Sequence, residues 1–330
     1  MNNTTQIKPR MVSIIIPAYN EEEVIRIFHQ RLINTINSQE DDFEIIYIND
    51  GSTDTTLDIL KTLCADDQRV GLIDLSRNFG KEIAMTSGID HAQGDAIIVI
   101  DADLQDPPEL IGKLIEKWNE GFDIVNAQRE SRAGETWFKK YTAHAFYRLI
   151  KKTTHVHIPE DTGDYRLLNR KAVDALAGLR ERNRFMKGLF AWIGYNSTTV
   201  RYQRDKRFAG TSKWSYWRLW NLAIEGFTSF TTAPLKMSTY IGMFTALLSL
   251  VYGTYIIART LMFGNPIAGY PSLIVVILFI GGVQLISIGI IGEYLSRIFD
   301  ETKQRPLYLI KEQIPSRPRT AHSNEGKSND

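Results

Sequence analysis

Two apolar spans near the end of the chain limit its architecture more than any other feature. They run from Leu235 to Leu261 and from Pro271 to about Gly292. As helices rising 1.5 Å per residue, each is long enough to cross a hydrocarbon core of about 30 Å. The connection Met262–Tyr270 contains no Lys, Arg, Asp or Glu. Backbone in hydrocarbon must satisfy its own polar groups, so the pair reads as a helical hairpin. Everything before it reads as a soluble α/β domain. A catalytic-looking domain held at a membrane surface points to chemistry between a water-soluble partner and a lipid.

Charge sets the orientation. The net charge of the 330 residues is only +1, which gives no global signal for nucleic acid. The basic residues are local: Arg201, Arg204, Lys206, Arg207, Lys213 and Arg218 stand against one acid, Asp205, and Lys303, Arg305 and Lys311 follow the second span. Both clusters flank the hairpin on one side, so the positive-inside rule places the N-terminal domain and both termini in the cytoplasm. Arg259, near the far end, is expected to snorkel. The lone cysteine, Cys64, excludes an intramolecular disulfide and suits a reducing compartment. No signal peptide is read in Met1–Met11. Residues 1–10 are a tail, 11–232 the cytoplasmic domain, 233–298 the membrane segment and 299–330 a second tail. The end of that second tail, from Pro315, is expected to be disordered.

Within the soluble domain, short β-branched runs alternate with helical patterns. Strands are expected at 12–17, 44–48, 70–75, 96–100 and, more weakly, 124–127, with helices over about 21–38, 53–66, 80–92 and 108–120. Continuous apolar strands separated by helices imply a mainly parallel, Rossmann-like sheet covered on both faces. Ligands of such sheets sit at the carboxyl ends of the strands. The first strand ends in Pro17-Ala-Tyr-Asn-Glu-Glu-Glu23, with no Gly-x-Gly-x-x-Gly, which argues against a dinucleotide enzyme. Asn20 is expected to cap the following helix. The second strand ends in Asn49-Asp-Gly-Ser-Thr-Asp54, where Asp50 has two readings: a ligand to a nucleobase or ribose, or a turn residue. The fourth ends in Asp101-Ala-Asp-Leu-Gln-Asp-Pro-Pro-Glu109. Asp106 reads as a helix cap. Asp101 and Asp103 are expected to alternate along extended backbone. Two such carboxylates are costly together without a cation, and Mg²⁺ or Mn²⁺ bound through them would complete its shell with substrate phosphates.

These four segments, with Arg77-Asn-Phe-Gly-Lys81, Gly163-Asp-Tyr-Arg166, Arg207-Phe-Ala-Gly-Thr-Ser-Lys213 and the hairpin, carry a resemblance. The chain resembles the inverting family 2 glycosyltransferases of GT-A fold, and within them the polyprenol-phosphate sugar synthases, nearest the bacterial bactoprenol glucosyltransferases. The likeness spans about residues 10–312. It implies that Pro17, Tyr19, Glu21, Asp50, Lys81, Asp101, Gln105 and Arg129 hold the nucleotide sugar. It further implies that Asp101, Asp103 and Gln105 hold a divalent metal, and that Asp101, Asp103 and Asp164 are the catalytic group. Asp164 is then a candidate base or acceptor-positioning residue, and Arg207 and Lys213 hold the lipid phosphate. The implied donor is UDP-glucose, with UDP-N-acetylglucosamine or GDP-mannose as alternatives. The implied acceptor is undecaprenyl phosphate in a bacterial inner membrane, serving cell-envelope glycan modification such as that of O-antigen. A non-catalytic, membrane-anchored scaffold is the reading from another class. Aromatic and basic runs near 134–152 and 213–232 read as interfacial helices. Small residues repeating within the spans (Gly242, Ala246, Ser249, Gly253, Gly282, Gly289) would permit close packing within the hairpin or a homo-oligomer.

Overall fold

The computed structural model describes residues 10–130, 162–182, 184–203, 233–264 and 269–317. The expected interfacial helices, Arg207 and Lys213 lie outside the described residues. The chain divides into two compact units. The first begins β1 (Met11–Ala18), α1 (Ile25–Ile36), β2 (Asp42–Asn49), α2 (Thr56–Asp66), β3 (Val70–Leu75), α3 (Lys81–His91) and β4 (Ala96–Val99). A 3₁₀ turn (Pro108–Leu110) then leads into α4 (Ile111–Asn119), followed by β5 (Ile124–Arg129), β6 (Thr162–Asn169), α5 (Arg170–Ala177), α6 (Met186–Trp192) and β7 (Ser197–Tyr202).

The parallel centre forms for the reason the composition implies. Val12 through Ile16 of β1 are buried without alternation, because helices cover both faces of the sheet. β1 pairs in parallel with β2 and β4, and β2 with β3. Helices supply the covering surface by periodicity: α1 buries Ile25, Phe28, Leu32 and Ile36, spaced along one face. The sheet is more mixed than the sequence reading expects. β6 runs antiparallel between β4 and β5, and β7 lies parallel to β5 at one edge. The opposite edge is completed by β8 (Ile310–Ile314), antiparallel to β3, giving the order β7-β5-β6-β4-β1-β2-β3-β8.

β8 comes from the segment read as tail. It is bound by more than its ladder: Ser76 N–H donates to the Leu309 carbonyl at 2.9 Å, and Arg317 N–H to the Gln68 carbonyl at 2.7 Å. Lys61 pairs with Glu312 at 2.6 Å, and Ser316 Oγ donates to Glu44 at 2.9 Å. The extension past Pro315 is therefore bonded at least as far as Arg317. Gly71 makes room for this approach, since a Cβ there would lie 2.8 Å from the Ser316 nitrogen.

The second unit contains α7 (Ala233–Phe263) and α8 (Tyr270–Thr302), 31 and 33 residues long. Both are long and apolar enough to cross a membrane, and large apolar side chains such as Leu250, Phe279 and Leu285 point outward. α8 continues ten residues past the expected end at Gly292, to Thr302. Among the described residues, a Cβ at Gly242, Gly253, Gly282 or Gly289 would meet no atom within 4 Å, so no close approach of α7 and α8 is seen at these glycines.

Gly71→Val should push the tail strand off the sheet edge. Amide exchange over Ile310–Ile314 is expected to quicken and Tm to fall by several degrees; unchanged exchange would show that the edge tolerates the side chain.

Candidate functional site

The site follows from strand register. Val99 in β4 stands opposite Arg166 in the antiparallel β6. Asp101 follows two residues past Val99, and Asp164 stands two residues before Arg166 in β6, so the antiparallel register carries both to the carboxyl end of β4. Two carboxylates at that spacing repel. Lys81, the first residue of α3, resolves the conflict. Its ammonium lies 2.7 and 2.8 Å from the two Asp101 oxygens and 2.5 Å from Asp164 Oδ2.

Lys81 is placed by Asp50. That side chain is buried, its Oδ1 accepting from Phe79 N–H at 2.7 Å and its Oδ2 from Gly80 N–H at 2.9 Å. Of the two readings of Asp50, the geometry displays an anchor for the β3–α3 loop. Gly51, at φ 68°, is required twice over: its backbone is left-handed, and a Cβ would sit 2.5 Å from the Arg77–Asn78 peptide.

The β1 and β2 loops are stitched together, which corrects the expected cap. Asn20 does not cap α1. It adopts φ 56°, accepts on Oδ1 from Thr53 N–H at 2.8 Å, and donates its backbone N–H to Ser52 Oγ at 3.1 Å. α1 starts only at Ile25, with no side-chain cap. Glu22 accepts from Thr55 N–H at 3.0 Å, and Glu21 N–H donates to Thr56 Oγ1 at 2.9 Å. These bonds tie the two loops through the Glu22 carboxylate and the Glu21 amide, and leave Tyr19 exposed at the strand end beside half-buried Pro17.

The segment after β4 is bent rather than extended as expected. Leu104 takes φ 59°, unusual for a bulky residue and costing on the order of 1–3 kcal/mol, and is held there with its side chain 5 % exposed. The bend turns Asp103 back to accept from Gln105 N–H at 3.1 Å. Asp106 is no cap either. It is buried, takes the Tyr202 hydroxyl on Oδ1, and lies 3.9 Å from the Arg129 guanidinium. Arg129, at the end of β5, donates from Nε to the Tyr202 hydroxyl at 3.4 Å.

Electrostatics divides the carboxyls. Burial opposes charge on Asp164, but Lys81 and Lys187 outweigh it and hold the carboxyl well below the ordinary range. Burial, assisted by Asp164, raises Asp101 against the pull of Lys81. Desolvation opposes the Lys81 ammonium; Asp101 and Asp164 overcome it and hold its pKa above the usual lysine range. Two further groups belong to this cluster and went unread in the sequence. Burial and then Asp164 push Glu82 up to about 7, with its carboxylate accepting from Met186 N–H at 3.0 Å. Arg166 is lowered to about 10 by burial; it donates to the Gly163 carbonyl at 2.7 Å and covers the Phe190 ring at 3.9 Å. Alternation within Gly163-Asp-Tyr-Arg166 places Arg166 on the face of Asp164, but nothing in the sequence shows that it is buried.

Among the described residues, no three His, Cys, Asp or Glu side chains meet as a ready metal cage. The donor set still suits a hard cation. Asp101 and Asp103 offer carboxylate oxygen, and Asp164 Oδ1 is buried with no hydrogen-bond partner among the described residues. Such ions bind through one or two carboxylates and take remaining oxygens from a diphosphate. Gln105 is half-buried beside them.

A mixed sheet with a parallel centre, an acidic bend after β4 and a lysine-bridged carboxylate pair defines a GT-A-like domain, joined here to an apolar helical hairpin. The chain belongs to glycosyl transferase family 2: that family's profile matches residues 13–177, and the GtrB C-terminal hairpin matches residues 233–298. An uncharacterized glycosyltransferase of Synechocystis is 53% identical over 301 residues, 91% of this chain and 95% of that one. The bactoprenol glucosyl transferase of Shigella phage SfX is 49% identical over 300 residues, covering 91% and 98%. The prophage bactoprenol glucosyl transferase homolog of Escherichia coli K12 is 47% identical over 300 residues, again 91% and 98%. A distant likeness in solved structures is mannosyl-3-phosphoglycerate synthase from Rubrobacter xylanophilus, at TM-score 0.45 and 17% identity over 66% of this chain and 71% of that one.

Lys81→Met should remove the cation that opposes burial at Asp101, raising its folded pKa further above the unfolded one, and should raise Asp164 as well, though Lys187 and Arg166 remain beside it. A group raised in this way destabilises the fold above its folded pKa and ceases to do so once protonated. The loss in Tm against the parent is therefore expected to be largest at pH 7–8 and to shrink toward pH 5. A pH-independent loss would place the effect of Lys81 in packing instead.

Proposed function

We propose that the protein transfers a hexose, glucose from UDP-glucose, to the phosphate of undecaprenyl phosphate, inverting the anomeric centre. The observation that carries this reading is the Lys81–Asp101–Asp164 cluster at the carboxyl end of β4, in a chain that also holds two membrane-length helices. Relatives named for bactoprenol glucosyl transfer, covered almost end to end, support the same acceptor class.

The chemistry is simple for a family of this kind. The acceptor is a phosphate monoester, already anionic near pH 7, so its oxygen needs less help from a base than a sugar hydroxyl would. Attack from the side opposite the leaving nucleoside diphosphate gives inversion in one step. Asp164, held ionised by Lys81, then orients the acceptor or the sugar rather than removing an obligatory proton. Pro17, Tyr19 and Glu21 line the nucleotide side, with Asp50 acting through the loop it anchors. Arg129 meets the diphosphate. Asp101, Asp103 and Gln105 are the proposed holders of Mg²⁺ or Mn²⁺, which would neutralise charge on the leaving group when bound. Arg207 and Lys213 are proposed to receive the lipid phosphate. The domain and both termini face the bacterial cytoplasm, with the hairpin spanning the inner membrane.

Transfer of label from a panel of UDP- and GDP-sugars to undecaprenyl phosphate, by purified protein in detergent with Mg²⁺, Mn²⁺ or EDTA, tests this directly. Metal-dependent formation of a glucosyl lipid from UDP-glucose is expected. Product from UDP-N-acetylglucosamine or GDP-mannose alone would change the donor. No lipid product from folded protein would favour the anchored scaffold. Asp103→Asn is expected to lower transfer at least 100-fold with Tm unchanged.

A further inference from the structure

We propose that Tyr202 and Asp106 are positioning residues for Arg129, orienting its guanidinium toward the diphosphate of the donor. The proposal rests on the reading that Arg129 meets the diphosphate, and deepens it.

Three independent features converge on this side chain. The first is the chain of donors. The Tyr202 hydroxyl gives its proton to Asp106 Oδ1, so its oxygen is left to accept, and it accepts from Arg129 Nε at 3.4 Å. The second is the long approach of the ion pair itself: Arg129 and Asp106 are 3.9 Å apart at their nearest atoms. A carboxylate directly against a guanidinium tends to take two N–H groups in a fork and would consume the donors that recognise phosphate. With the phenol interposed, the carboxylate supplies charge while only Nε is engaged. Among the described residues Arg129 makes no other side-chain hydrogen bond: Nη2 is the atom nearest Asp106 Oδ1, but at 3.9 Å it stays beyond hydrogen-bond reach and keeps its N–H groups for a phosphate. The third feature is space. A Cβ at Gly163 would lie 3.2 Å from an Arg129 terminal nitrogen, so the glycine of Gly163-Asp-Tyr-Arg166 leaves a slot that the guanidinium uses.

The supports are themselves rigid. Asp106 is 1 % exposed, and among the described residues its Oδ2 has no hydrogen-bond partner, a costly arrangement for a carboxylate whose role is only structural. Tyr202 ends β7, and the adjacent Glu130 N–H donates to the Tyr202 carbonyl at 3.0 Å, so β5 and β7 are locked at the two residues concerned. Tyr165 meets the Tyr202 ring edge-on at 6.3 Å and donates its hydroxyl to the Pro107 carbonyl at 3.2 Å, which fixes the loop carrying Asp106. Burial followed by the Asp106 charge holds the Tyr202 phenol well above its ordinary range, so it remains a proton donor to Asp106 throughout the working pH.

A double-mutant cycle on the full chain in detergent separates this role from a merely structural one. Tyr202→Phe, Asp106→Asn and Arg129→Ala, singly and combined, are assayed for UDP-glucose binding by calorimetry and for KM and kcat of transfer. Tyr202→Phe and Asp106→Asn are each expected to weaken UDP-glucose binding three- to tenfold, with kcat changed less. In the Arg129→Ala background neither should weaken it further. Losses that multiply across the cycle would make Tyr202 and Asp106 independent of Arg129 and overturn the proposal. Tyr202→Phe binding as tightly as the parent would do the same. If Arg129→Ala alone leaves donor binding intact, the assignment of Arg129 to the diphosphate falls, and this proposal with it. Parent protein that binds neither UDP nor UDP-glucose would overturn the functional reading as a whole. Should Tyr202→Phe fail to fold, Asp106→Asn, which preserves shape and removes only the charge, carries the cycle alone.

Discussion

A single ammonium group holds this site together. Antiparallel pairing of β6 with β4 brings Asp101 and Asp164 to the same end of β4, and their mutual repulsion would oppose the sheet that creates it. Lys81 meets both. Its own position depends on the Phe79-Gly80 turn, which depends on Asp50, whose carboxylate spends both oxygens on that turn. Asp50 in turn stands at the end of β2 beside Gly51, the only residue type that fits against the Arg77–Asn78 peptide. Strand order, loop geometry and site charge are thus one connected arrangement, and disturbing any link moves the lysine.

The arrangement also sorts the protonation states. Asp164 is kept ionised by the cations around it, while neighbouring Glu82 is driven up to about 7 by burial and by Asp164 itself. Two carboxyls whose environments separate their pKa values commonly take different roles. The bent backbone at Leu104 adds stored strain just where Asp103 and Gln105 are presented. Such strain persists only when the surroundings over-determine it, and here the buried Leu104 side chain and the anchored Asp106 on either side of Gln105 do so.

Beyond the site, the chain returns from its hairpin to complete the domain it left. β8 covers the open edge of β3, a position that would otherwise present unpaired backbone to other chains. Ties from Glu312 to Lys61 and from Ser316 to Glu44 fix that strand to α2 and β2. The catalytic sheet is therefore built from residues on both sides of the apolar helices in sequence.

Patterning alone determined much of this protein. Apolar length marked out the two long helices, because runs of that length and hydropathy are what a membrane-crossing helix needs. Unbroken β-branched runs specified the parallel centre, because only strands covered on both faces read that way. The strand-end rule located Asp50, Asp101 and Asp103, and the family likeness added Lys81, Arg129 and Asp164. Tertiary structure decided what local spacing has no access to. Asn20 and Asp106 look like helix caps because Asn and Asp before a helical run usually are. Their side chains instead found partners 33 and 96 residues away. β6, β7 and β8 carry no local strand signature, because their pairing is long-range and their segments hold charged and polar residues. The union of Lys81, Asp101 and Asp164, the half-buried setting of Glu82 and the buried settings of Arg166 and Tyr202 likewise exist only once the register of β4 against β6 and of β5 against β7 is set. Charge and burial are properties of that assembled neighbourhood, not of any residue's place in the chain.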